Sequence, residues 1–167
     1  MKTLGYFTQL KVIQALVFLL IPVILMLLNG GEILGSISAY AYYTPMTFAL
    51  SLTLAGALFF YDGYVERKRW YNLYVGVSLF GVVLFPHLDF PVTHYTFAVI
   101  FFIGSLFNMV YFSSGRERFL KILTAVLVLF GMLGCFGFHW YSIYWAEWIG
   151  MLPISVHFIL EAIGKID

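Results

Sequence analysis

Six stretches of the chain, at about residues 10–28, 44–61, 70–85, 92–112, 119–138 and 143–163, are apolar over close to the length a helix needs to cross a bilayer. Each helical residue adds about 1.5 Å, so ~20 residues cover a hydrocarbon layer ~30 Å thick. The charges that a soluble surface requires are missing. Of the 167 residues 62% are hydrophobic and 10% charged, where soluble domains carry about 25% charged residues. The expected fold is all-α: a polytopic membrane bundle of six transmembrane helices, built as one domain over residues 1–167.

Prolines punctuate these stretches. Thr44-Pro45 suits a helix start, with Thr as cap and Pro in the first position, and Pro86 and Pro91 bracket a tight turn between the third and fourth spans. Pro22 and Pro153 fall inside spans, where a bilayer helix tolerates them. The first apolar run is too long for a signal-peptide core, and Asn29-Gly30-Gly31-Glu32 lacks a small-x-small cleavage pattern, so the run is expected to be retained.

Orientation follows from the basic residues. Lys2, Lys11, Arg67, Lys68, Arg69, Arg116, Arg118, Lys121 and Lys165 are all the Lys and Arg, and six passes put every one on the same side. The positive-inside rule then places both termini in the cytoplasm. Aromatic girdles agree, with Tyr61, Tyr64, Trp70, Tyr71 and Tyr74 at the inner interface. Tyr40, Tyr42, Tyr43, Trp140, Tyr141, Tyr144, Trp145 and Trp148 would form the outer one. The segment 29–43 is the longest outside the membrane and is expected to lie along the outer interface as a lip over the bundle. Gly76 with Gly81, and Gly131, Gly134 and Gly137, mark close helix contacts.

Several functions lose support at this stage. A net charge of +1 gives no footprint for nucleic acid. No lysine sits in the middle of a span to carry a retinal Schiff base, and Cys135, the single cysteine, reads as a small buried hydrophobe. Without a CxxC pair, quinone-linked thiol chemistry has no basis. No inverted repeat suggests a secondary transporter.

Polar residues in a bilayer are costly, so their positions are informative. On the outer side, His87 and Asp89 lie in the turn Pro86-His87-Leu88-Asp89-Phe90-Pro91, His94 follows within a helical turn, His139 ends span five and Glu147 lies shallowly in span six. His87, His94 and His139 could ligate zinc, with Asp89 or Glu147 as fourth ligand or general base. The same five side chains could instead bind a lipid headgroup, or serve only as interfacial structure. On the inner side, His157 and Glu161 are four residues apart and share one helix face. Asn72, Asn108, Asp62 and Arg69 lie at similar depth. Hydrogen bonding between helices is the expected role there, with a proton relay as the other reading.

The stretch from Ser36 to Phe112 also has a family look. Ser36-Ile37-Ser38-Ala39-Tyr40-Ala41-Tyr42-Tyr43-Thr44-Pro45, Arg69-Trp70-Tyr71-Asn72, Gly76 and Gly81, Leu84-Phe85-Pro86 and His94 together resemble the six-pass Frag1/DRAM/Sfk1-like proteins and the bacterial DUF998-like membrane proteins. That resemblance implies a six-helix bundle acting on or with lipids in a bacterial cytoplasmic (inner) membrane. Pro86, His94 and Asn72 are the positions that carry over. Pro45-Met46-Thr47 stands where that family has a Pro-Glu-Ser type element. A second similarity is to the ceramidase and progestin-receptor-like hydrolases, which hold zinc within seven spans and use a late HxxxH pair. This chain offers His157 and Glu161 there.

The expected function is a small membrane protein that binds or organises lipid, as a homo-oligomer or beside a partner membrane protein. The alternative is a zinc-dependent intramembrane lipid hydrolase built on the outer His/Asp cluster.

Overall fold

A computed structural model describes residues 6–65, 70–112, 117–163 and 165. Arg67, Lys68, Arg69, Arg116 and Lys2, which entered the orientation argument, lie outside the described residues. Seven α-helices account for most of the fold, and there is no strand among the described residues. They are α1 (Tyr6–Leu28), α2 (Tyr40–Tyr43), α3 (Pro45–Val65), α4 (Asn72–Leu84), α5 (Pro91–Phe107), α6 (Arg118–Phe136) and α7 (Ile143–Ala162). A 3₁₀ turn, Ile37–Ala39, leads into α2, and a π-helical segment, Asn108–Phe112, extends α5.

Five of the helices, over Gln9–Leu28, Pro45–Val65, Pro91–Tyr111, Arg118–Phe136 and Ile143–Glu161, are long and apolar enough to cross a membrane. The third apolar stretch is shorter than residues 70–85 suggested, because α4 has 13 residues. At about 1.5 Å each these reach about 20 Å. Thr44 takes the cap position of α3, its carbonyl accepting the Phe48 amide at 3.0 Å, with Pro45 first in the helix. Its hydroxyl turns back to the Tyr40 carbonyl at 3.4 Å and so also closes α2.

The helices pack in an incomplete ring. α6 lies on α7, α7 on α1, α1 on α3, α3 on α4 and α4 on α5. Between α5 and α6 the ring is nearly open, and α6 meets the π-helical continuation of α5 more than α5 itself. The ring is therefore drawn together at the end near residues 108–112 and parts toward the end near Pro91 and Phe136.

At the centre Phe18, Phe59, Phe101 and Phe158, from four different helices, interlock with ring centroids 4.8–6.4 Å apart. All four are buried. Edge-to-face and tilted arrangements of this kind suit the positive ring edge against the negative ring face.

Glycines allow the closest approach, between α3 and α4. A Cβ on Gly76 would lie 2.6 Å from the Gly56 carbonyl oxygen and 2.8 Å from the Phe60 nitrogen, neither of which can swing aside. Gly81, its expected companion, instead faces Phe97 of α5. Gly76→Val should therefore force α3 and α4 apart and cost about 1–3 kcal/mol, as overpacking does. Thermal unfolding in one detergent measures this against Gly104→Ala, where an added Cβ meets nothing within 4 Å. Equal melting of the two variants would contradict the packing account.

Candidate functional site

Within the segment 29–43, expected as a surface lip, the stretch around Ile37, Ser38 and Tyr40 is a plug inserted into the mouth of the bundle, while residues 30–33, 42 and 43 stay exposed. Tyr40 is 0% exposed, and Ile37 and Ser38 are buried. Tyr40 and Tyr144 therefore belong to the core and leave the outer aromatic girdle to residues such as Tyr43 and Trp140. The plug is closed on itself and tied to α7. Tyr40 Oη donates to the Glu32 carbonyl at 2.8 Å, and the Tyr144 amide of α7 donates to the Gly35 carbonyl at 2.9 Å. Ser36 caps the 3₁₀ turn by accepting the Ala39 amide at 3.0 Å.

Glu147 fixes the middle of the plug. Its Oε2 accepts the Ile37 amide at 2.5 Å, and its Oε1 lies 3.4 Å from the Ser38 hydroxyl. Ser38 is in turn 3.0 Å from His94 Nε2, and His94 Nδ1 donates to the Phe85 carbonyl at 2.8 Å. A carbonyl oxygen can only accept, so Nδ1 carries the proton of the neutral ring and Nε2 presents a lone pair to Ser38. Thus α7, the plug, α5 and the end of α4 are joined by one polar chain.

This chain forms the polar end of a cleft of about 240 Å³. Tyr95, Val99 and Ile103 of α5 face Met132 and Phe136 of α6 across it, and Ser36, Ser38, His87, His94 and Glu147 line its polar end. Tyr95, Val99, Ile103 and Phe136 are also exposed on the flank of the bundle. The cleft therefore opens sideways through the gap between α5 and α6. A smaller apolar extension of about 40 Å³ runs inward past Ala98 and Phe102 toward Phe18 and Met151.

Of the five outer candidates, the fold brings together three. His87, His94 and Glu147 share the cleft, with the two imidazole rings 5.7 Å apart. Nδ1 of His87 is buried and makes no hydrogen bond. Asp89 is exposed at the turn, where Tyr42 Oη reaches it at 3.3 Å while also accepting the Leu88 amide at 2.8 Å. Tyr42 thereby clamps the turn to the plug. His139 has the expected depth but not the expected rotation. It is exposed, adopts a left-handed φ of 55°, and is absent from the cleft lining.

The three histidines therefore do not converge, and no group of three or more His, Cys, Asp or Glu among the described residues is placed to hold a metal ion. His94 already commits both ring nitrogens to Phe85 and Ser38. The outer geometry offers hydrogen bonding where the residue types suggested zinc ligation. Ser38, which joins His94 and Glu147, was not among the candidate site residues. Its signal in the sequence was its place in the string from Ser36 to Pro45.

At the inner end, His157 and Glu161 do share a small cavity with Asn72, Ser105 and Asn108. Its volume is about 10 Å³, room for about one water. Asn72 Oδ1 and Ser105 Oγ are buried there without partners. Beside it lies a group that the loop-charge argument misread. Lys11 belongs to α1, which starts at Tyr6, and it is 6% exposed. Its Nζ is 3.5 Å from Asp62 Oδ1 and 3.8 Å from Glu161 Oε1. Asp62 Oδ2 accepts from Asn72 Nδ2 at 2.6 Å. Lys121 is likewise buried within α6. The spacing Lys11, Gln14, Ala15, Phe18 was the available signal, because those positions share one helix face and all are buried.

Residues 20–162 match a family of unknown function (DUF7103). No curated protein and no solved structure matches the chain.

Proposed function

The chain belongs to the DUF7103 family, and from that premise we propose that it is a membrane protein whose outer cleft binds one lipid molecule, with the acyl chain between α5 and α6 and the head against the plug. The observation that carries this reading is the sideways opening. A pocket for a water-soluble ligand would open toward water, whereas this one opens through apolar residues that are themselves exposed on the helix flanks. A narrow set of polar groups at one end of an apolar cavity matches the build of an amphiphile. The resemblance of Ser36–Phe112 to lipid-linked six-pass proteins points the same way.

In this reading α4 is the sixth pass, completed by its flanking residues and local thinning of the bilayer. Both termini are cytoplasmic, in a bacterial inner membrane, and the cleft opens to the outer leaflet. The open edge of the ring is also where a second copy or a partner membrane protein would approach.

A photoactivatable acyl-chain lipid, reconstituted with the purified protein, tests the cleft. Crosslinks should concentrate on peptides containing residues 95–103 and 132–143. Val99→Trp, which fills the mouth from an exposed position, should reduce them severalfold while leaving unfolding unchanged. Crosslinks spread evenly over all the apolar helix flanks would defeat the proposal.

A further inference from the structure

Ser38 and His94 have a relationship that lipid binding alone does not require. The serine hydroxyl is within hydrogen-bond reach of the unprotonated Nε2, and the far nitrogen of the ring is held by a backbone carbonyl. A hydroxyl on a neutral imidazole that a third group orients is the arrangement that activates a serine as nucleophile. The pair lies in the wall of the cleft, in reach of what occupies it.

We propose that Ser38 is a nucleophile and His94 its general base, and that together they cleave the carboxylic ester of an uncharged acyl lipid held in the cleft. This rests on the reading of the cleft as a lipid site.

The class of substrate follows from the lining. Among the described residues no Lys or Arg lines the cleft, and the Glu147 carboxyl group lies beside Ser38. A phosphate at the reacting centre would meet no cation there, whereas a neutral ester carbonyl meets no repulsion. A donor for a developing oxyanion is also at hand. Ser36 accepts the Ala39 amide through its oxygen, which leaves its hydroxyl proton to be donated into the cleft. Glu147 acts as a positioning residue. It holds the Ile37 amide and so sets where Ser38 stands, while its own approach to the Ser38 hydroxyl is longer than that of His94.

The steps balance with water as the only co-reactant. Ser38 Oγ attacks the ester carbonyl carbon as its proton passes to His94 Nε2. The carbon–oxygen bond to the leaving alcohol breaks, and the alcohol departs with that proton, leaving the acyl group on Ser38. A water from the outer interface gives a proton to Nε2 and attacks the acyl carbon. The bond to Oγ breaks, Oγ recovers the proton, and ester plus water have become acid plus alcohol.

A hexadecyl fluorophosphonate probe on the detergent-purified protein tests the assignment by peptide mass spectrometry. Phosphonylation is expected at Ser38, with fluoride released, and its rate should fall about 100-fold or more in His94→Gln, the range for loss of a general base. No modification of Ser38 in the wild-type protein, or an unchanged rate in a folded His94→Gln protein, would overturn the proposal. Should that variant fail to fold, the wild-type protein decides alone. Incubated with p-nitrophenyl decanoate and quenched in acid, it carries a decanoyl group on Ser38 if the proposal is right and none if it is wrong. Photolipid crosslinking in the cleft alongside an unmodified Ser38 would remove the catalytic pair and leave the lipid site standing; loss of both would remove both.

Discussion

Lys11→Met is expected to lower stability by about 3–5 kcal/mol, the usual cost of removing one partner from a buried charge pair. Lys11 stands between Asp62 of α3 and Glu161 of α7, at 3.5 and 3.8 Å, with both carboxylate side chains 7% exposed. Without the ammonium, two acids held in the same apolar surroundings face one another across the space it occupied. Asn72 still donates to Asp62 at 2.6 Å. The expectation has an internal check. Combining Lys11→Met with Asp62→Asn and Glu161→Gln removes the charges together, and most of the loss should return, because well-packed neutral groups often replace a buried ion cluster at little cost. Unfolding in mixed SDS and mild-detergent micelles measures all three proteins on one scale. A single mutant as stable as wild type would mean that the three groups are solvated in the bilayer and do not depend on each other.

The second large effect is expected at the other end. Glu147→Leu deprives the Ile37 amide of its acceptor and Ser38 of one neighbour. Leaving a buried donor such as the Ile37 amide unsatisfied costs about 1–3 kcal/mol, and here the bond holds the plug rather than the whole fold. The loss should therefore appear first as release of residues 36–43. With Cys135→Ser as background, a cysteine at Ala41 should react faster, by roughly tenfold per 1.4 kcal/mol, with a membrane-impermeant thiol reagent added from outside. Glu147→Gln keeps an acceptor oxygen and should restore most of the protection. No change in reactivity with Glu147→Leu would show that the Tyr40 and Tyr144 contacts hold the plug by themselves.

Much of this architecture was readable from periodicity and composition. The apolar stretches recur as helices, with boundaries differing by a few residues, because length and hydropathy are properties of a segment by itself. That His157 and Glu161 are neighbours was also legible, since residues four apart share one helix face; the small cavity they line was not. What escaped was the arrangement of segments about the bundle axis. Lys11 looked like a flanking charge because its depth was counted from the first unbroken apolar residue, whereas α1 begins at Tyr6 and turns Lys11 inward. His139 looked like a partner of His94 because both lie near one end, yet its backbone turns it outward. The plug was read as a surface element because its Gly-Gly-Glu start and Tyr-rich end suit an interface. Its burial depends on Glu147 and Tyr144, more than 100 positions away, and no local pattern announces such a pairing.

The four phenylalanines at the centre carry a consequence for what can pass through the bundle. Phe18, Phe59, Phe101 and Phe158 divide the polar chain of His94, Ser38 and Glu147 from the group around Lys11, and none of the four side chains can donate or accept a proton. A polar file running through the centre of the bundle would have to pass around these four rings, because between them there is no group to hand a proton or a water molecule onward.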